Sequence, residues 1–206
     1  MCGLAFAWYN GRIYIMDGGK TVSEENNISL FKKQKQTRPK IEDVAADYLS
    51  GETLQRLLDF AAYLKENKIP HGWASGNTWK FTYKGRKLCV IRISDVSLAH
   101  CNYTSSWHIA IDGDFSEDYE EIFSDDKSKE TAWDNIKYCR GTGCPPPPGT
   151  RVAFLGKEFE NVCQHTRFII DNPNAETIEC AKKLIQKRCK DIVNGKVIST
   201  KYVPKK

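Results

Sequence analysis

The sequence predicts an α+β protein, an antiparallel sheet packed by two amphipathic helices, and three observations carry that expectation. Leu54, Leu57, Leu58, Ala61 and Leu64 recur at helical spacing over about 52–67. Trp79, Phe81 and Tyr83 alternate with Lys80 and Thr82, and after a Lys84-Gly85 turn the apolar run Leu88 to Ile93 follows, as in a hairpin. Ile178, Ala181, Ile185, Cys189 and Ile192 line one face of a long C-terminal helix, about 173–193.

The remaining elements follow in chain order. Phe6 to Ile15 reads as a hairpin turning at Asn10-Gly11, a pair that supplies the two positive φ values of a type I′ turn. Residues 17–40 are polar and basic, so residues 1–40 are read as a hairpin followed by a basic arm, and 41–206 as one domain. Ser50 is placed to cap the first helix, and Pro70 forbids its continuation. Trp107, Ile109 and Ile111 give a third strand, and 116–138 a helix with Trp133 and Ile136 turned inward. Four consecutive prolines, Pro145 to Pro148, make the segment from Cys139 to Gly149 a loop. Val152 to Leu155, a Gly156-Lys157 turn, and Phe159 with Val162 form a small second hairpin. Asn172 and Pro173 suit the N-cap and first position of the last helix, and Gly195 its stop. No internal repeat is present.

Composition narrows the class. The 206 residues are 40% hydrophobic, 28% charged and 11% aromatic, which excludes disordered, collagen-like and coiled-coil chains. No apolar stretch approaches the roughly 18 residues of a membrane span, so no membrane partner is expected. Leu4 to Tyr9 lacks the basic flank of a signal peptide, and the chain is read as cytoplasmic. Eight cysteines in 206 residues fall short of the roughly 8–10% of a disulfide scaffold. In a reducing compartment they are thiols, ligands or nucleophiles.

The net charge of +5 favours an anionic partner, nucleic acid or a phosphorylated or planar ligand. Lys32, Lys33, Lys35, Arg38 and Lys40 form one basic run, and Lys182, Lys183, Lys187, Arg188, Lys190, Lys196, Lys201, Lys205 and Lys206 load the C-terminal end. An acidic block, Asp112 to Asp126, separates them. The aromatic and basic hairpin is the candidate binding surface, through Trp73, Trp79, Lys80, Lys84, Arg86 and Arg92, with rings available to stack and cations to meet phosphate. Strand alternation sets the opposing expectation, that the rings share the core face and only the cations are presented.

For chemistry, the best constellation is Cys139, Cys144, Cys163 and His165, two short-spaced pairs of the donors a structural zinc ion takes. The spacings depart from the usual knuckle, leaving ordinary thiols or a redox pair as alternatives. Cys101 and His108 are the candidates for a cysteine-dependent enzyme acting on a small molecule. Asp112-Gly-Asp114 opens like a calcium loop but lacks Gly at the sixth position and Glu at the twelfth. Phosphate-loop, dinucleotide and His-Glu-x-x-His motifs are absent from the sequence.

Two resemblances add to this. Met1-Cys2-Gly3 is similar to the start of glutamine amidotransferases and of the abasic-site-crosslinking SRAP proteins, which implies Cys2 as an N-terminal nucleophile; no second motif of either follows. From Glu52 to Ile111, the order of a helix and an aromatic, basic antiparallel sheet, with the Trp79 to Ile93 hairpin, resembles small bacterial proteins of the YjbR-like kind. That resemblance implies a non-enzymatic binding domain, with nucleic acid among its partners, and transfers no functional residue. The sequence therefore leads to a binding or regulatory module for an anionic partner, with the cysteine enzyme second and a pure protein-interaction domain third; it leaves the oligomeric state open.

Overall fold

The computed structural model describes residues 30–94, 106–112, 119–139, 149–163 and 166–195, and the backbone of 5–9 and 12–16. Strands β1 (Ala5–Tyr9) and β2 (Arg12–Met16) pair antiparallel with Tyr9 opposite Arg12, the register a two-residue Asn-Gly turn requires.

Residues 30–37, assigned by composition to a basic arm, form helix α1 (Leu30–Thr37). Lys and Gln are good helix formers, and one buried side chain fastens the helix. The Gln34 amide donates to Asn77 Oδ1 at 2.6 Å, and its oxygen accepts from the Asn77 backbone N–H at 2.8 Å and from Trp73 Nε1 at 3.1 Å. A short helix α2 (Ile41–Val44) and a 3₁₀ turn bury Ile41, Val44 and Ala45 before α3 (Gly51–Glu66) begins. Helix α3 buries Leu57, Phe60, Ala61 and Leu64, with Leu54 and Leu58 half-buried beside them. Ser50 precedes it in extended conformation and makes no side-chain capping bond.

Strands β3 (His71–Ser75), β4 (Thr78–Tyr83), β5 (Arg86–Ile93) and β6 (Trp107–Ile111) form an antiparallel sheet. Helix α4 (Asp126–Asp134), the hairpin β7 (Thr150–Phe154) and β8 (Lys157–Val162), strand β9 (Phe168–Asp171) and helix α5 (Ala175–Val193) follow. The large sheet has the order β3-β4-β5-β6-β9. Its edge strands β3 and β9 escape the sequence pattern because one carries Gly72 and Ala74 on its outward positions and the other has four residues. Helix α4 is shorter than the 116–138 expected, and it starts where Asp125 accepts from the Ser128 N–H. Helix α5 is capped by Asn174, not Asn172: Asn174 and Thr177 bond reciprocally, while Asn172, at φ 45°, accepts from Ser106 instead.

Alternation sorts the sheet into two faces. Trp79, Phe81, Cys89, Ile91, Trp107, Ile109, Phe168 and Ile170 are fully buried on the inner one, against Leu57, Phe60, Ala181 and Ile185 of the helices. Each such large side chain contributes about 1.5–3 kcal/mol of burial free energy. The other face carries two rungs, Thr78–Arg92–His108–Asp171 and Gly72–Lys80–Val90–Ala110–Ile169.

Candidate functional site

The candidate binding residues divide between these faces. Trp79 is in the core, its indole N–H bonded to the Pro39 carbonyl at 2.8 Å, and Trp73 is half-buried against Phe31 and Gln34. The rings are therefore packing, and what the hairpin presents is charge. Lys80, Lys84 and Arg86 are exposed and Arg92 is half-buried. From His71 to Ser94 there are five Lys or Arg and no Asp or Glu. Lys87 pairs with Asp112 at 2.9 Å. Lys84 also lies 5.9 Å from the Tyr83 ring.

Within helix α5, the described part of the basic C-terminal run, the cations do not form such a surface. Lys187 is buried and paired with Asp191, and Arg188 is 3% exposed, its Nε and Nη1 making no hydrogen bond. Lys182 lies over the Tyr63 ring and Lys183 over Phe123, at 4.8 and 5.5 Å. Of the lysines in α5 only Lys190 is exposed, and Lys196, Lys201, Lys205 and Lys206 lie outside the described residues. In helix α1 Lys32, Lys33 and Lys35 are exposed.

For the enzyme reading, Cys2 and Cys101 lie outside the described residues. His108 is buried between Arg92 and Asp171 on its rung, and burial pushes its imidazole below the ordinary value against the opposing pull of Asp171. Burial also raises the thiols of Cys89, of Cys180 to about 12 and of Cys189 to about 11, which keeps them protonated at neutral pH. A polar cleft of about 370 Å³ lies among Thr53, Arg56, Ser106, Trp107, Asn172 and Pro173. Its Arg56 guanidinium is already bonded to Glu52 and to the Pro173 carbonyl.

Of the four candidate zinc ligands, Cys144 and His165 lie outside the described residues, and Cys139 and Cys163 are brought together. Tyr138 and Val162 form an antiparallel bridge, flanked by Cys139 N–H to Asn161 O at 2.7 Å and Cys163 N–H to Lys137 O at 2.8 Å. Each cysteine thus lies one position from the bridge, Cys139 on one strand and Cys163 on the other. Asn161 holds the junction: at φ 60° its side-chain amide donates to the Cys139 carbonyl at 2.9 Å, and Gly149 lies against its backbone. Sequence reading missed Asn161 and the Arg92–His108–Asp171 rung, because only the register brings these residues into contact.

Comparison of the chain with protein-family models, curated proteins and solved structures finds no match. Among the described residues, no helix is long and apolar enough to cross a membrane.

Proposed function

We propose that this protein is a non-catalytic binding or regulatory module whose partner is the phosphate backbone of a nucleic acid. The observation that carries the reading is the basic character of the hairpin, five cations and no acidic residue between His71 and Ser94, with Lys80, Lys84 and Arg86 exposed. Because Trp79 and Phe81 are core residues, contact is electrostatic and indifferent to base identity, which suits a duplex better than stacked single strands. The YjbR-like order of elements over 52–111 points the same way. The burial of His108, which lowers its imidazole, makes it a poor partner for a nucleophilic thiol. A cytoplasmic setting belongs to the same proposal and is supported by the free thiols of Cys89, Cys180 and Cys189.

The test is titration of the whole protein against a short DNA duplex and the matching single strand over a range of salt. Affinity should fall steeply with salt for the wild type, with little dependence on sequence. The double variant Lys80→Glu, Arg86→Glu should melt like the wild type and flatten the slope of log K against log salt by about 2. No binding at low salt, or binding that the charge reversal leaves unchanged, refutes the proposal.

A further inference from the structure

We infer that the polar cleft between the start of α3 and the β9–α5 junction binds the phosphate group of a small phosphate monoester. The inference does not rest on the nucleic-acid reading, since Lys80, Lys84 and Arg86 are not among the walls of the cleft. Its first support is what those walls leave unsatisfied. Asn172 Oδ1 accepts from the Ser106 N–H at 2.7 Å and from Ser106 Oγ at 2.9 Å, and the Pro173 carbonyl accepts from Arg56 Nη1 at 3.1 Å. These acceptors are used within the fold, whereas a donor is left over. Trp107 also lines the cleft; it is fully buried on the inner face of the sheet, toward α3, and its indole N–H makes no hydrogen bond. A buried donor without an acceptor is costly, and an oxygen of an anion seated in the cleft supplies the missing acceptor.

The second support is independent of the first. Helix α3 is 16 residues long and begins at the cleft, which Thr53 and Arg56 of its first two turns line. Ser50 makes no side-chain capping bond, and the first bond into the helix runs from the Leu54 N–H to the Ser50 carbonyl. The N–H groups of Gly51, Glu52 and Thr53 therefore have no hydrogen-bond partner among the described residues. Free N–H groups and the positive end of a helix dipole together hold phosphate. Arg56 adds a full charge; its bond to Glu52, a side chain 86% exposed, is a surface pair that a phosphate can replace. Among the described residues no acidic side chain lines the cleft. The volume of about 370 Å³ falls within the roughly 300–1,000 Å³ of small-ligand sites, leaving room for the alcohol part of the ester. Donors from α3 and β6 converge on it, which suits the three acceptor oxygens of a phosphate better than the two of a carboxylate.

The test is titration of the full chain with ribose 5-phosphate and inorganic phosphate, with ribose and acetate as controls. It is followed by calorimetry and by the indole N–H resonance that Trp107→Phe removes from the ¹H–¹⁵N spectrum. Ribose 5-phosphate should bind saturably and move that resonance, inorganic phosphate more weakly, and the controls not at all. Arg56→Gln should weaken binding about tenfold or more and Trp107→Phe about fivefold. The double variant Lys80→Glu, Arg86→Glu should bind as the wild type does. Should Arg56→Gln or Trp107→Phe fail to fold, Thr53→Val takes its place and should weaken binding severalfold, while the wild-type Trp107 resonance must still move. Absence of saturable binding, an unmoved Trp107 resonance, acetate bound as tightly as phosphate, or affinity unchanged in the cleft variants overturns the inference. Binding lost in the hairpin variant and kept in Arg56→Gln puts the phosphate on the hairpin, which overturns this inference and leaves the nucleic-acid reading standing.

Discussion

Two hairpins of this protein, β4–β5 and β7–β8, share a turn and differ in charge. Lys84-Gly85 joins β4 to β5 and Leu155-Gly156 joins β7 to β8, and in both turns the two residues have positive φ, 45° and 77° in the first, 52° and 75° in the second. That is type I′ geometry, whose twist matches the strands it joins. In the small hairpin Arg151 reaches Glu160 at 3.1 Å and also bonds Glu158, while Lys157 covers the Trp133 and Phe159 rings. The large hairpin contains no acidic residue of its own: Lys87 pairs with Asp112 beyond β6, and Lys80, Lys84 and Arg86 are exposed. The same backbone solution thus serves one hairpin that satisfies its charges internally and another that leaves them outward.

The comparison breaks first in the core, where the effect is largest. Phe81 is fully buried on the inner face, opposite Cys89 and beside His71. Phe81→Asp places an unpaired charge there and should cost about 4 kcal/mol or more, abolishing the cooperative thermal transition. A wild-type melt would show that the β4–β5 face is not part of the core.

Next in size is a pair of glycines. A Cβ on Gly149, at φ 76°, would stand 2.6 Å from the Asn161 backbone, whereas one on Gly156, at φ 75°, meets nothing within 4 Å. Both alanine variants bear the left-handed backbone cost of about 1–2 kcal/mol, and Gly149→Ala adds a collision with main chain that cannot turn aside. We expect about 3 kcal/mol for Gly149→Ala and about 1 for Gly156→Ala by denaturant unfolding. Equal losses would mean that the contact at Asn161 yields easily.

Much of this was legible in the sequence, and the two hairpins show where legibility stops. Period and turn chemistry locate β4, β5, β6, β7, β8, α3 and α5, because each is a local pattern of apolar residues and punctuation. Helix α1 is hidden because a single glutamine, Gln34, holds it through bonds to residues far along the chain. Strand β9 is hidden because four residues carry too little pattern. In the candidate sites, alternation already tells which of Trp79 and Lys80 faces out. It does not tell that Lys187 and Arg188 are buried in a run of lysines, since that depends on what α5 packs against. The bridge between Tyr138 and Val162 likewise exists only in three dimensions.

Acid should separate the two regions by a smaller amount. His71 and His108 flank the large hairpin, on β3 and β6, while β7 and β8 contain no histidine. Desolvation lowers both imidazoles; Glu42 pulls His71 upward, with Lys65 and Lys40 against and Asp43 for, and Asp171 pulls His108 upward, with Arg92 and Lys137 against. Their folded values are depressed, so the unfolded chain takes up protons first. Stability is therefore full above the unfolded value of about 6.5 and declines as pH falls below it toward the folded values. The melting temperature should drop between about pH 7.5 and 5, and His108→Gln should make that drop shallower. An identical acid profile in the variant would place the titration elsewhere.

The smallest effect tests the charge contrast itself. Exposed ion pairs contribute little, because both groups are well solvated when separated. Arg151→Gln should therefore lower the melting temperature by a few degrees at most, and less as salt is added, since it removes the one cation that pairs with both Glu158 and Glu160 in a screened network. Lys80→Gln should change stability even less and can raise it slightly at low salt, because Lys80 has no acidic partner among the described residues and four other cations share its hairpin. The sign is what matters. A charge that serves the fold is missed when it is removed, and one that opposes its neighbours is not. If Lys80→Gln destabilises the protein as much as Arg151→Gln does, the large hairpin uses its cations structurally and the contrast with the small one fails. If stability is untouched while duplex binding weakens, the cations are kept for what lies outside the fold.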